Sequence, residues 1–166
     1  MNPLMEFVPE GVLLPEAARR AYAGARLEVD AAALARALDQ LAVRVTVRYQ
    51  DRSPLFIAIM PDGLHLLAAL LTRMVFPCRQ ALWQPADEPP PAAPGGCVVL
   101  LHAGGDADLL SRARSLLDDA GVDECCVVTL IATAGADMMA LDVTADPGCA
   151  FLGCGFGVEG FGRNLP

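Results

Sequence analysis

Apolar residues recur along the chain at two different spacings, and each spacing predicts an element. From Ala31 to Val45 the apolar positions Ala31, Leu34, Ala35, Leu38, Leu41, Ala42 and Val45 fall three and four residues apart, the period of one helix face. Arg36, Asp39, Gln40, Arg44 and Arg48 lie largely off that stripe. An amphipathic helix is therefore predicted through about Tyr49, with Asp30 as its N-cap. Four other apolar runs are short and bounded by turn residues: Leu55 to Met60, Cys97 to Leu101, Cys125 to Ala132 and Cys149 to Cys154. They do not alternate with polar residues, so they predict strands covered on both faces. Arg79 to Trp83 is a further short strand.

The stretches between these runs carry turn and helix signals. Asp51-Arg52-Ser53-Pro54 and Pro61-Asp62-Gly63 are turns. Leu64 to about Val75 reads as a helix that is apolar nearly all round, so it is either deeply buried or part of a subunit contact, and Pro77 ends it. Asp108 is a suitable N-cap for a helix to Ala120, with Gly121 at its C′ position. Pro15 and Glu16 open a short helix to about Ala25. Gln84 to Gly96 holds five prolines, which favour an extended, semi-rigid surface connection; docking to a partner is the other reading of such a segment. Helices alternating with buried strands predict an α/β fold with a mostly parallel sheet flanked by helices. Residues 1–28 read as a segment packed on a single domain of residues 29–166.

Composition narrows the function classes. The chain has 166 residues, is 54% hydrophobic and carries a net charge of −8, so it can bury a full core. No cluster of basic residues is visible, which argues against nucleic acid and anionic membrane surfaces as partners. The N-terminus lacks the basic and apolar regions of a secretory signal, and Leu64 to Phe76, which includes His65 and Arg73, is too short to span a bilayer. The expected location is the cytoplasm. The six cysteines, at 78, 97, 125, 126, 149 and 154, form no C-x-x-C pair, so they read as small buried hydrophobes and no metal site is expected.

The candidate chemistry centres on Gly95 to Leu110. A buried strand leads into a turn, His102 to Ala107, made permissive by Gly104 and Gly105, and a helix follows. Such junctions build ligand sites at the carboxyl ends of parallel strands, and a helix N-terminus there suits a phosphate. This turn instead carries Asp106 and Asp108, with no Lys, Ser or Thr.

The order of these pieces resembles the type I phosphoribosyltransferases, in particular the hypoxanthine/guanine branch of purine salvage. Ile57 to Gly63 followed by Leu64 to Leu70 looks like the family's strand, pyrophosphate loop and helix. Val98 to Leu101 and its turn stand where the diphosphate-sugar motif lies, and Cys125 to Ile131 matches the next strand. Gly153-Cys154-Gly155 and Arg163-Asn164-Leu165-Pro166 match the closing Gly-Tyr-Gly and Arg-Asn-Leu-Pro signature. The resemblance implies a Rossmann-like type I phosphoribosyltransferase fold. It also implies formation of IMP or GMP from phosphoribosyl pyrophosphate and a purine base, with Mg²⁺ holding the diphosphate.

Carried over residue by residue, the motif is degraded. The acidic pair after the central strand falls on His102 and Ala103, and the phosphate cradle on Ala107-Asp108-Leu109-Leu110. The pyrophosphate-loop lysine falls on Pro61 and its neighbouring glycine on Asp62. The purine-reading lysine falls near Thr133, the stacking aromatic near Ala150 and the metal-binding aspartate on Gly157. What the resemblance retains is Asp106 as the catalytic base, Gly63, Gly104, Gly105 and Arg163 toward phosphate or pyrophosphate, and His102 as a possible ligand contact. Each has a structural alternative: Asp106 and His102 as turn residues, and Arg163 paired with an acidic surface. Two readings follow. One is a degenerate, non-catalytic binding or assembly subunit, a homodimer or higher oligomer, with a purine nucleotide or phosphate as its possible ligand and no certain cofactor. The other is an active salvage enzyme with a rebuilt site and Mg²⁺.

Overall fold

A computed structural model describes residues 13, 15, 16, 19, 20, 26–29, 31–86, 90–92, 94–103, 107–130, 138–140, 150–152, 156 and 157. The chain divides into two compact units, Met1–Leu34 with Ala145–Pro166, and Ala35–Thr144.

The larger unit holds a five-stranded sheet in the order β3-β2-β4-β5-β6, with every neighbouring pair parallel. Its strands are β2 (Leu55–Ile59), β3 (Arg79–Trp83), β4 (Cys97–His102), β5 (Glu124–Thr129) and β6 (Met138–Ala140). β2 is buried at every position and β4 at all but its first. This explains why their sequences read as unbroken apolar runs rather than as alternation.

Side chains alternate between the two faces of these strands. Leu55, Ile57 and Ile59 share a face with Val98, Leu100 and Val127, and pack there against Leu110, Ala113 and Leu117 of helix α3 (Ala107–Asp119). Phe56, Ala58, Val99, Leu101, Cys126 and Val128 take the opposite face, and all are buried. Helices α1 (Ala31–Tyr49) and α2 (Asp62–Leu71) bury Leu38, Leu41, Val45, Tyr49, Leu66, Leu67 and Leu70. Of the stripe predicted for α1, Leu34, Leu38, Leu41, Ala42 and Val45 are buried, Ala35 is half-buried and Ala31 is exposed; Tyr49 is buried as well.

Several boundaries differ from expectation. The helix expected from Leu64 begins at Asp62, so the turn after β2 is shorter than predicted. It stops at Leu71 rather than near Val75, because Ala69 O accepts from the Thr72 hydroxyl at 2.9 Å and from Arg73 Nη1 at 2.8 Å. The Arg73 N–H, which would have continued the helix to that carbonyl, bonds to Leu70 O at 2.9 Å instead. Helix α3 begins at Ala107, which places Asp108 in its first turn and not at the cap. Its end follows prediction. Gly121 has φ +75°, its N–H reaches Asp118 O at 3.0 Å, and the Val122 N–H reaches Leu117 O at 3.1 Å, the paired bonds of a Schellman motif.

The connection before β4 is fastened to this helix end. Gly95 (φ +72°) donates to Gly121 O at 2.8 Å, Asp123 donates to Gly96 O at 3.1 Å, Pro90 is buried, and Ala92 packs on the core below α3.

The smaller unit contains a second sheet, β1 (Arg26–Val29), β7 (Ala150–Leu152) and β8 (Phe156–Gly157), in that order. β1 pairs parallel to β7, and β7 antiparallel to β8. The strand expected over Cys149 to Cys154 therefore lies in this sheet and not in the main one. β1 runs across residues 28 and 29, where the sequence suggests a boundary. Near the N-terminus, Glu16, Arg19 and Arg20 are helical, as expected of the Pro15–Glu16 start, and Arg20 pairs with Glu16.

Candidate functional site

The carboxyl ends of β2, β4 and β5 lie side by side, with α2 and α3 leaving from the first two. Open parallel sheets place ligands along such an edge.

Gly63, in the first turn of α2, is buried. A Cβ built on it would stand 2.2 Å from Leu101 O and 3.1 Å from the Ala58 carbonyl carbon. Glycine here lets the start of α2 rest directly on the backbones of β2 and β4. That packing requirement would hold with or without a ligand. Asp62, beside it, is half-buried.

His102 closes β4 and is 5% exposed; Ala103 after it is 2% exposed. His102 is in register with Thr129, the last residue of β5, which is fully buried. By strand alternation both stand on the α3 face, on the same side as Leu100 and Val127. The edge thus presents an imidazole, a methyl and a hydroxyl. Thr129 was missed in the sequence, because it stands inside the apolar run Cys125 to Ala132 and only the structure ends the strand there.

Asp108 is exposed in the first turn of α3, where a carboxylate complements the helix dipole. Asp106, Gly104, Gly105 and Arg163 lie outside the described residues, as does Thr133. Of the expected site residues, the structure therefore describes Gly63 and His102, on neighbouring strand ends but on opposite faces of the sheet.

Among the described residues no group of three or more His, Cys, Asp or Glu is arranged to hold a metal ion. His102 and Ala103 themselves offer no carboxylate oxygen to a hard cation; the carboxylates described at this edge are those of Asp62 and Asp108.

The opposite, amino-terminal end of the sheet is charged but structural. Glu124 at the start of β5 accepts from Arg48 Nη2 at 3.1 Å and pairs with Arg52. The hydrogen bond from Arg48 to Glu124 holds the guanidinium pKa above its ordinary value. Burial, and then the charge of Glu124, raises the Cys97 thiol; burial raises Cys125 to about 11. The Tyr49 hydroxyl is enclosed beside Cys126 without an oxygen or nitrogen partner, and burial raises its pKa as well. Thiols shifted upward, as Cys97 and Cys125 are, hold less thiolate and are weaker nucleophiles at neutral pH.

The architecture matches solved structures of one fold class. A hypoxanthine-guanine-xanthine phosphoribosyltransferase superimposes with TM-score 0.64 at 18% identity, over 85% of this chain and 90% of that one. A purine phosphoribosyltransferase from Pyrococcus horikoshii Ot3 gives 0.57 at 13% identity, over 75% and 90%. A hypothetical protein from Neisseria gonorrhoeae with bound ppGpp gives 0.55 at 12% identity, over 78% and 88%. No protein-family model and no curated protein sequence matches the chain. The protein has the type I phosphoribosyltransferase fold, with hypoxanthine-guanine phosphoribosyltransferases among the structures it resembles. No helix among the described residues is long and apolar enough to cross a membrane.

Proposed function

We propose that this chain is a non-catalytic subunit built on the phosphoribosyltransferase scaffold, a binding or assembly protein that does not transfer phosphoribose. The observation that carries the reading is the make-up of the β4 edge. His102 and Ala103, both buried, stand where the resemblance calls for two carboxylates. The rest of the chemistry agrees. All twelve basic residues in the chain are arginines, so no lysine exists anywhere to replace those the resemblance places at Pro61 and Thr133. Asp108, at the helix N-terminus, sets a negative charge where a phosphate would need donors. At about 4 Å such a like-charge pair is unfavourable by about 4 kcal/mol at an effective dielectric of about 20. Removal of one well-placed donor already lowers a rate by about 10² or more. Several such losses together remove ordinary turnover.

A ligand at this edge, if one is kept, would be a purine nucleotide or a simple phosphate bound without Mg²⁺. The Neisseria structure holds ppGpp on the same fold, so guanine nucleotides head the list of ligands to test. The deciding experiment uses the full chain with phosphoribosyl pyrophosphate, Mg²⁺ and hypoxanthine or guanine, and measures IMP and GMP. No nucleotide product is expected. Product formation abolished by Asp106→Asn would overturn the reading in favour of an active salvage enzyme, with Asp106 as base and Arg163 on pyrophosphate. Calorimetry with GMP, ppGpp and phosphoribosyl pyrophosphate, each with and without Mg²⁺, then separates a nucleotide-binding protein from a pure assembly subunit.

A further inference from the structure

The outer side of α1 carries a surface that neither the core nor the ligand edge uses. Val43 and Val47 stand one turn apart there, 63% and 73% exposed, and Val75, just past α2, is 97% exposed. With Ala42 they wall an open groove of about 380 Å³, whose rim carries Asp39 and Arg73. Of the apolar 64–76 stretch, Leu66, Leu67 and Leu70 face inward, and Val75 is its contribution to this groove. The surroundings are basic, in a chain whose net charge is −8. Arg36 lies on the same helical stripe as the two valines, and Arg44 and Arg48 flank that stripe; all three arginines are exposed. Arg73 Nε donates to Asp39 Oδ1 at 2.7 Å, so the rim itself is neutral. Glu124 accepts from both Arg48 Nη2, at 3.1 Å, and Arg52, one carboxylate for two guanidiniums. With exposed Asp51 included, five arginines stand against three carboxylates, and the face keeps a positive surplus.

We propose that this groove docks an acidic amphipathic helix of a different protein. Helices seat in such grooves through apolar side chains that repeat about once per turn. Val43 and Val47 have that spacing on one wall, and Val75 supplies the other. The surplus guanidiniums call for carboxylates on the flanks of the docked helix. The same surplus argues against a second copy of this chain, whose identical face would set arginine against arginine. A phosphate chain would satisfy the guanidiniums but leave three valines in water, so nucleic acid fits the face less well. The length of the occupant follows from α1. Arg36 and Arg48 are about 18 Å apart along the helix axis, and a helix of about 16 residues, about 24 Å long, covers that span.

The proposal goes beyond the reading of the ligand edge: nucleotide formation tests that reading, peptide affinity tests this one, and either can fail alone. The probe is a fluorescein-labelled peptide of about 16 residues, with leucine at helical spacing on one face and glutamate on the flanks, read by fluorescence anisotropy against the full-length chain. Its counterpart carries lysine in place of each glutamate. The net charge of −8 would by itself draw in the lysine peptide, so a preference for the glutamate peptide reports the local face. That preference should be at least about tenfold and should shrink as salt is raised. Val75→Glu alters an almost fully exposed position outside any helix, so it should weaken the glutamate peptide about tenfold with an unchanged circular dichroism spectrum. Arg36→Glu/Arg44→Glu, at two exposed positions, should abolish the preference between the peptides. A wild-type chain that binds neither peptide, as when a segment of the same chain or a second copy already covers the groove, overturns the proposal. Equal or tighter binding of the lysine peptide overturns it, and so does a preference that survives both variants.

Discussion

Gly63→Ala should destabilise the protein by about 3 kcal/mol, and the reason is one contact. The new methyl would sit 2.2 Å from Leu101 O, with Ala58 Cα at 3.2 Å and the Ala58 carbonyl carbon at 3.1 Å. All three are backbone atoms of central strands, which cannot swing aside as a flexible side chain can. A carbon and a carbonyl oxygen come no closer than about 3.3 Å without strain, so α2 must lift by about 1 Å. Overpacking of a tight core typically costs about 1–3 kcal/mol, and lifting α2 also loosens Leu66 and Leu70, which are fully buried. Alanine's better helix propensity returns at most about 1 kcal/mol. Urea unfolding followed by circular dichroism should show the midpoint falling by about 1.5 M, for a slope of about 2 kcal/mol/M. Ala68→Gly, at an exposed position of the same helix, should cost only about 1 kcal/mol. If Gly63→Ala proved neutral or stabilising, α2 would not rest on the strand backbones, and the packing account of Gly63 would be wrong.

Other perturbations test the remaining elements. Gly121→Ala forces a methyl residue to φ +75° and should cost about 1 kcal/mol by the same unfolding assay. Tyr49→Phe removes an enclosed hydroxyl with no oxygen or nitrogen partner and should be neutral or stabilising by up to about 1 kcal/mol; a loss above that would reveal a hydrogen bond worth keeping. Glu124→Gln should cost less than about 1 kcal/mol, because Arg48 and Arg52 are largely solvated, and that cost should shrink in high salt. The Cys125 thiol and the Tyr49 hydroxyl are both raised by burial, so the folded state keeps protons that the unfolded chain releases. Stability should therefore be intact below the ordinary thiol value of 9.0 and fall as pH climbs toward about 11. A pH titration of the urea midpoint that stayed flat across that range would contradict the burial of both groups.

The parts of the fold that follow from burial could be read in the sequence. The α1 stripe, the buried runs of β2, β4 and β5, and the glycine stop of α3 each reflect a local physical demand that one segment meets alone. What escaped depends on partners distant in the chain. β1 has four residues and β6 three, too few to show a period, and each is a strand only through a parallel neighbour. The run near residue 150 read correctly as a strand, but its membership of a second sheet is set by pairing with residues 26–29 and left no local mark. At the site, His102 was visible because it ends an apolar run in a glycine-rich turn. Thr129 became relevant only through register, since nothing near it in sequence points at His102.

The separation of scaffold and chemistry follows from where each is encoded. The sheet is held by Leu55, Ile57, Val98, Leu100 and Val127, with α3 below them, and none of these need touch a ligand. A phosphoribosyl site needs only a few charged groups beyond the last residue of each strand. On the proposed reading, a buried histidine and an alanine in place of carboxylates leave the core intact and avoid the like-charge repulsion that an acidic pair maintains when no cation is bound. The same holds at α3, where Asp108 complements the helix dipole that a phosphate would otherwise have met. Asp108→Ser is therefore informative in both directions. Loss of the carboxylate should lower stability by about 0.3–1 kcal/mol, while any affinity of this edge for inorganic phosphate should rise. A variant with unchanged stability and unchanged phosphate affinity would show that the helix N-terminus is neither stabilised by Asp108 nor open to a ligand.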